Sequence, residues 1–133
     1  MGAARPAVTL ALARAGRRGD PSEDDMIIVA GTFDVAPERR AEFLDSRREL
    51  QLHSRGEAGC IEYVFSADSL EPGRVRLFEI WSDEASLAAH GAANRERVAA
   101  AEAADPAAAA AAVPVLARNL LVYELSDAAP RPL

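Results

Sequence analysis

Lysine is absent from this chain. Arginine supplies all 15 basic residues against 21 acids, leaving a net charge of −6 and a pI of 4.9. An acidic chain without a basic run lacks a general phosphate-binding surface and is not expected to take a nucleic-acid partner. Cys60 is the only cysteine, which excludes an internal disulfide framework and a cysteine-rich zinc site. Two histidines, His53 and His90, are too few for a tight transition-metal cage, and no glycine-rich phosphate loop follows a strand. No metal or organic cofactor is therefore expected. No apolar run approaches the roughly 18 residues a membrane helix needs, so no membrane partner is expected and the cytoplasm is the default location. Large side chains are also scarce: the chain is 50% hydrophobic but 5% aromatic. About 30 of its residues are alanines, each burying little area.

The length of 133 residues fits one domain. Residues 1–25 carry Arg5, Arg14, Arg17 and Arg18 and then Asp20, Glu23, Asp24 and Asp25, with no apolar periodicity. They read as a disordered extension or as sequence upstream of a true start at Met26. The stretch Ala7–Ala13 is too short and too alanine-rich for a secretory signal. The folded domain is expected over 26–126, with a flexible tail over 127–133.

From Met26 a β-branched run to Phe33 reads as a strand. Pro37 suits the first turn of a helix that continues without a breaker from Glu38 to Arg55, with Phe43, Arg47, Leu50 and Ser54 on one face. A second strand follows Gly59, with Ile61, Tyr63 and Phe65 alternating onto one side. The turn 68–73 leads to a third strand, Arg74–Trp81, in which Val75, Leu77, Glu79 and Trp81 face one way and Phe78 and Ile80 the other. Ser82 is placed to cap a second helix, along which Leu87, His90, Asn94 and Val98 recur at helical spacing; Gly91 is its weak point. A short alanine-rich helical turn follows Asp105-Pro106, and a last strand runs from Asn119 to Leu125.

The order β-α-β-β-α-β is that of an α+β, ferredoxin-like antiparallel sheet with both helices on one side. Strands apolar on both faces leave one face uncovered, and pairing with a second copy is the simplest way to bury it. A homodimer is expected.

Glu57-Ala58-Gly59-Cys60 with Tyr63, then Glu79-Ile80-Trp81-Ser82, then Leu87-Ala88-Ala89-His90 together resemble the antibiotic biosynthesis monooxygenase superfamily. Its pattern runs E-P-G-C, E-x-W, then a histidine on the second helix, and the resemblance covers Met26 to about Ser126. Ala58 stands where the family often has proline, and Asn94-Arg95 where many members have Pro-His. The resemblance implies a dimeric α+β barrel with a pocket in each subunit between sheet and helices. It also implies, for the members that are monooxygenases, oxidation of electron-rich quinols or phenols by dioxygen without metal or flavin.

On that reading His90, Trp81 and Glu79 are the catalytic candidates and Tyr63, Arg47 and Asn94 the substrate-binding ones. An imidazole, with an ordinary pKa of about 6.5, suits proton abstraction near neutrality, although a helix histidine can simply pack. Trp81 either stacks a planar ligand and donates its indole N–H or belongs to the core. Glu79 is either a buried carboxylate fixing the pocket or a half-exposed strand residue. Tyr63 offers a phenol to a substrate oxygen or serves the sheet. Arg47 holds an anionic oxygen or extends to solvent, and Asn94 follows His90 by one helical turn. Three functions stay open: a cofactor-free monooxygenase, an isomerase or haem-degrading enzyme, and a non-catalytic binding or stress-response module. Thr32 stands where haem-degrading relatives carry asparagine, which counts against haem.

Overall fold

A computed structural model describes residues 25–126 and 131–133. The extension expected over 1–25 thus lies outside the described residues except for Asp25, as do 127–130 of the expected tail. Strands β1 (Met26–Asp34), β2 (Cys60–Ala67), β3 (Arg74–Trp81) and β4 (Ala117–Leu125) form one antiparallel sheet in the order β2-β3-β1-β4. A 3-10 turn, Pro37–Arg39, leads into α1 (Arg40–Ser46) and α2 (Arg48–Arg55), and the β3–β4 connection carries α3 (Glu84–Ala104) and α4 (Pro106–Ala111). This is the ferredoxin-like α+β arrangement that the element order implies.

Pairing of Val29 with Glu79, Gly31 with Leu77 and Tyr63 with Glu79 puts the odd-numbered residues of β1, β2 and β3 on one face. The helices cover that face. Ile27, Tyr63, Leu77 and Trp81 form one buried cluster beneath them, and Val35, Phe43, Val75 and Val113 a second. Burial of Phe43 alone contributes about 3 kcal/mol by area transfer. Phe33 and Phe65 pack against both clusters and join them. The opposite face carries Ile28, Val64, Phe78, Ile80 and Leu121 in register.

Four local expectations differ from the structure. The first helix is divided at Arg47, where the Ser46 hydroxyl donates to the Phe43 carbonyl (2.6 Å) and the Arg47 N–H turns to Leu44, tightening the turn. Ile61 is 56% exposed, because a register shift between Cys60 and Glu62 lifts it out of the alternation that holds Tyr63 inward. Asp83, not Ser82, caps α3: its carboxylate accepts from the Ser86 N–H (2.7 Å), while Ser82 donates its hydroxyl to Asp83. Finally, α3 runs unbroken through Gly91, carried by the alanines on either side, and Val98 stays exposed.

Edge strand β2 is tied to α2 rather than left open. Gln51 accepts from the Phe65 N–H (3.0 Å) and the Arg55 guanidinium donates to the Tyr63 carbonyl (2.9 Å). These bonds fix the distance between helix and sheet at the point where the cavity opens.

Candidate active site

Of α3 only His90 is buried, and Leu87, Gly91 and Asn94 beside it are partly buried, so the helix does not fill the space beneath it. A cavity of about 750 Å³ remains between sheet and helices. Its wall is formed by Arg47 and Leu50 from the first helical segment, Tyr63 and Phe65 from β2, Leu77 and Glu79 from β3, Leu87, His90, Gly91, Asn94 and Arg95 from α3, and Arg118, Leu120 and Val122 from β4. Five of the six sequence-derived candidates, Arg47, Tyr63, Glu79, His90 and Asn94, therefore share one cavity.

Trp81 is the exception. It is fully buried and absent from the cavity wall, and its indole N–H donates to the Glu79 carboxylate (2.8 Å). Of the two roles open to it, stacking a ligand and packing in the core, the structure places it in the second. The reason is its strand position: Trp81 ends β3 beneath α3, where the His90 and Tyr63 rings cover it, with centroids 4.8 and 6.4 Å away. Glu79, two residues earlier on the same face, is buried and reaches the wall. Burial raises its carboxyl pKa, and the Trp81 hydrogen bond and nearby His90 act against that shift.

His90 is buried, with Nδ1 2.9 Å from a Glu57 carboxylate oxygen. An ionised carboxylate only accepts, so Nδ1 donates this bond, and in the neutral ring the lone pair lies on Nε2. Among the described residues Nε2 has no hydrogen-bond partner. This leaves a ring nitrogen able to take a proton and a carboxylate able to stabilise the cation that results.

Glu57 was not among the candidates. It belongs to the Glu57-Ala58-Gly59-Cys60 motif, but no spacing rule connects it with a residue 33 positions later. Gly59 makes the connection. It adopts a φ of +79°, and a Cβ there would run into the Ser86 side chain, so only glycine lets this loop press against the start of α3. The Ser82 N–H donates to the Gly59 carbonyl (2.8 Å) and locks the approach.

Tyr63 is buried beside His90, with ring centroids 5.2 Å apart. Burial, reinforced by Glu79, pushes its phenol well above the ordinary range, so it stays protonated and able to donate. The Arg47 guanidinium sits 4.5 Å over the Phe43 ring, and its Nε is buried without a hydrogen-bond partner. Burial lowers the Arg47 pKa. Arg95 and Arg118, also on the wall, were not singled out from sequence, since an arginine near a helix middle or a strand start is ordinarily solvated.

Residues 26–104 match the profile of the antibiotic biosynthesis monooxygenase family, and the chain belongs to that family. Sixty-seven residues, 50% of the chain, are 39% identical to the uncharacterised protein sll1783 of Synechocystis. The matched segment spans 46% of that protein's length. A candidate monooxygenase of Bacillus subtilis, YcnE, is 35% identical over 65 residues, 68% of its own length. Among solved structures, a candidate antibiotic biosynthesis monooxygenase from Deinococcus radiodurans superposes with a TM-score of 0.60 at 21% identity, over 80% of this chain and 98% of that one. Protein SO0527 from Shewanella oneidensis gives 0.58 at 22% identity, over 77% and 92%. At such identities the likeness speaks for the fold. No helix among the described residues is long and apolar enough to cross a membrane.

Proposed function

We propose that this protein is a cofactor-free monooxygenase that oxidises an electron-rich quinol or polycyclic phenol with dioxygen. The observation that carries the reading is the cavity-lining His90, held by Glu57 through Nδ1 and left with a free Nε2. Ground-state dioxygen is a triplet and reacts poorly with closed-shell carbon. A phenolate overcomes this by giving up one electron first. In this scheme His90 removes the substrate hydroxyl proton, and the anion reduces dioxygen to superoxide. The two radicals recombine through a new C–O bond, and the peroxide collapses to a carbonyl with loss of water. The substrate loses two hydrogens and gains one oxygen atom; the other oxygen leaves as water. The Tyr63 O–H and the Arg47 guanidinium are the donors placed to stabilise negative charge on substrate oxygen, and Asn94 adds an amide. Glu79 and Trp81 act behind them, as a buried hydrogen-bonded pair that supports the His90 and Tyr63 rings.

The same reading includes a cytoplasmic homodimer in which the sheet face bearing Ile28, Val64, Phe78 and Ile80 pairs with its equivalent. A sheet with two apolar faces and helices on one of them has a face to bury, and self-pairing buries it twice over.

The test is oxygen consumption by the purified protein with a naphthohydroquinone. Turnover matched to oxygen uptake, lost without oxygen and in His90→Ala, is expected. Turnover that persists anaerobically would point to an isomerase. No turnover with any quinol, together with retained aromatic binding, would make the cavity a binding module.

A further inference from the structure

The cavity has a charge opposite to that of the protein. The chain carries a net charge of −6, yet three arginines and one glutamate line this cavity. Elsewhere among the described residues, five guanidinium groups find partners in the fold. Arg39, Arg74 and Arg76 pair with Glu42, Asp34 and Asp68 at 2.7–3.0 Å. Arg40 donates to the Asp68, Glu71 and Arg74 carbonyls, and Arg55 to that of Tyr63. Arg48 and Arg131 are exposed, and Arg97, which has one buried nitrogen unpartnered, lies on α3 away from the cavity wall. Arg47, Arg95 and Arg118 form no salt bridge among the described residues, although Arg118 lies near enough to Glu79 to oppose the rise of its carboxyl pKa.

Two of the three are also held in place. Arg47 lies 4.5 Å over the Phe43 ring and Arg118 lies 5.7 Å over the Phe33 ring, and those two rings pack at 5.9 Å. One aromatic pair thus seats both cations at the cavity rim. A guanidinium with a buried, unsatisfied Nε is costly unless something else supplies the acceptor, and its planar fork matches a carboxylate. Glu79 does not supply it: its carboxylate accepts from the Trp81 indole N–H, and the Arg47 Nε has no hydrogen-bond partner among the described residues.

We infer that the ligand of this cavity is an aromatic acid, whose ring carboxylate is held by Arg47, Arg95 and Arg118 at the end of the cavity away from Trp81. The inference rests on the cavity being the substrate site and narrows the substrate from any quinol to one bearing an ionised acid group. The carboxylate is recognised by charge and fork geometry, whereas the oxidisable ring faces His90 and Tyr63.

The experiment compares three probes, a dihydroxynaphthoic acid, its methyl ester and the unsubstituted dihydroxynaphthalene, by quenching of the single tryptophan's fluorescence and by calorimetry. The acid should bind at least about ten-fold more tightly than the ester. That gap should shrink in Arg47→Met, Arg95→Gln and Arg118→Gln, recover in part in Arg47→Lys, and narrow with salt. Arg95 and Arg118 are exposed, so their variants test the point without disturbing the core. Equal binding of acid and ester, binding of none of the probes, or a gap that survives all three substitutions would overturn the inference. Tight binding of the acid without oxygen uptake would support it and overturn the monooxygenase reading instead.

Discussion

His90 and Trp81 lie ring against ring, with centroids 4.8 Å apart at 36°, and each is tied to a different glutamate: His90 to Glu57 at 2.9 Å and Trp81 to Glu79 at 2.8 Å. The two glutamates come from different elements, one from the loop before β2 and one from β3. Their carboxylates therefore fix both the height and the tilt of the ring pair under α3. His90 is placed by its neighbours rather than by its helix alone.

This arrangement predicts separable effects of Glu57 and His90. His90→Ala should lower kcat roughly 100-fold or more, as expected for loss of a general base. Glu57→Gln keeps an acceptor for Nδ1 but removes the charge that stabilises the imidazolium formed in the reaction, so kcat should fall, by less than in His90→Ala. A kcat in Glu57→Gln equal to that of the parent would show that the carboxylate takes no part.

Glu79 makes a stability prediction. Burial, opposed by the Trp81 bond and by His90, raises its carboxyl pKa above the unfolded value. A group raised in this way favours folding fully below its unfolded pKa, and that contribution is lost as pH rises through the folded value. Glu79→Gln retains an acceptor for Trp81 and removes the charge. Thermal melts from pH 5 to 8 should show a flatter dependence for the variant, with no loss at pH 8. A slope unchanged by the substitution would assign the titration elsewhere.

Asp68 has the opposite sign. Its carboxylate accepts from the Glu71 and Leu70 N–H groups at 2.9 Å and from Arg76 at 2.7 Å, which together hold its pKa down to about 2. Its contribution is present above the ordinary carboxylate range and lost as pH falls through about 2. Hydrogen exchange of the 68–73 turn should rise below pH 3 in the parent protein, and Asp68→Asn should show that faster exchange already at pH 7.

The proposed pairing of two sheet faces predicts an outcome for charge insertion. Phe78→Glu or Ile80→Glu should turn a dimeric mass by light scattering into a monomeric one, because an unpaired buried charge costs several kcal/mol. A monomeric parent at micromolar concentration would remove the face from consideration as an interface.

The element order and the third strand, with its bounds Arg74 and Trp81, follow from the sequence alone. Periodicity two and a Pro-Gly turn are local properties that leave no alternative partner for that run. The same parity places Glu79 and Trp81 on the helix-covered face, and helical spacing places Arg47 and His90 inward. The bulge at Ile61 and the break at Arg47 are less legible, because both depend on competition between backbone and side-chain bonds that the residue pattern leaves balanced.

Only the tertiary structure decides how deep each candidate lies and what faces it. Strand parity states which side Trp81 takes, but not that Tyr63 and His90 close over it while its N–H goes to Glu79. Helical spacing brings His90 inward, but not to Glu57, because that contact crosses from a loop to a helix through the close approach at Gly59. Arg95 and Arg118 are ordinary surface residues until α3 and β4 meet around one cavity. Periodicity encodes direction relative to an element's own axis. Distance between elements is set by the packing of all of them together.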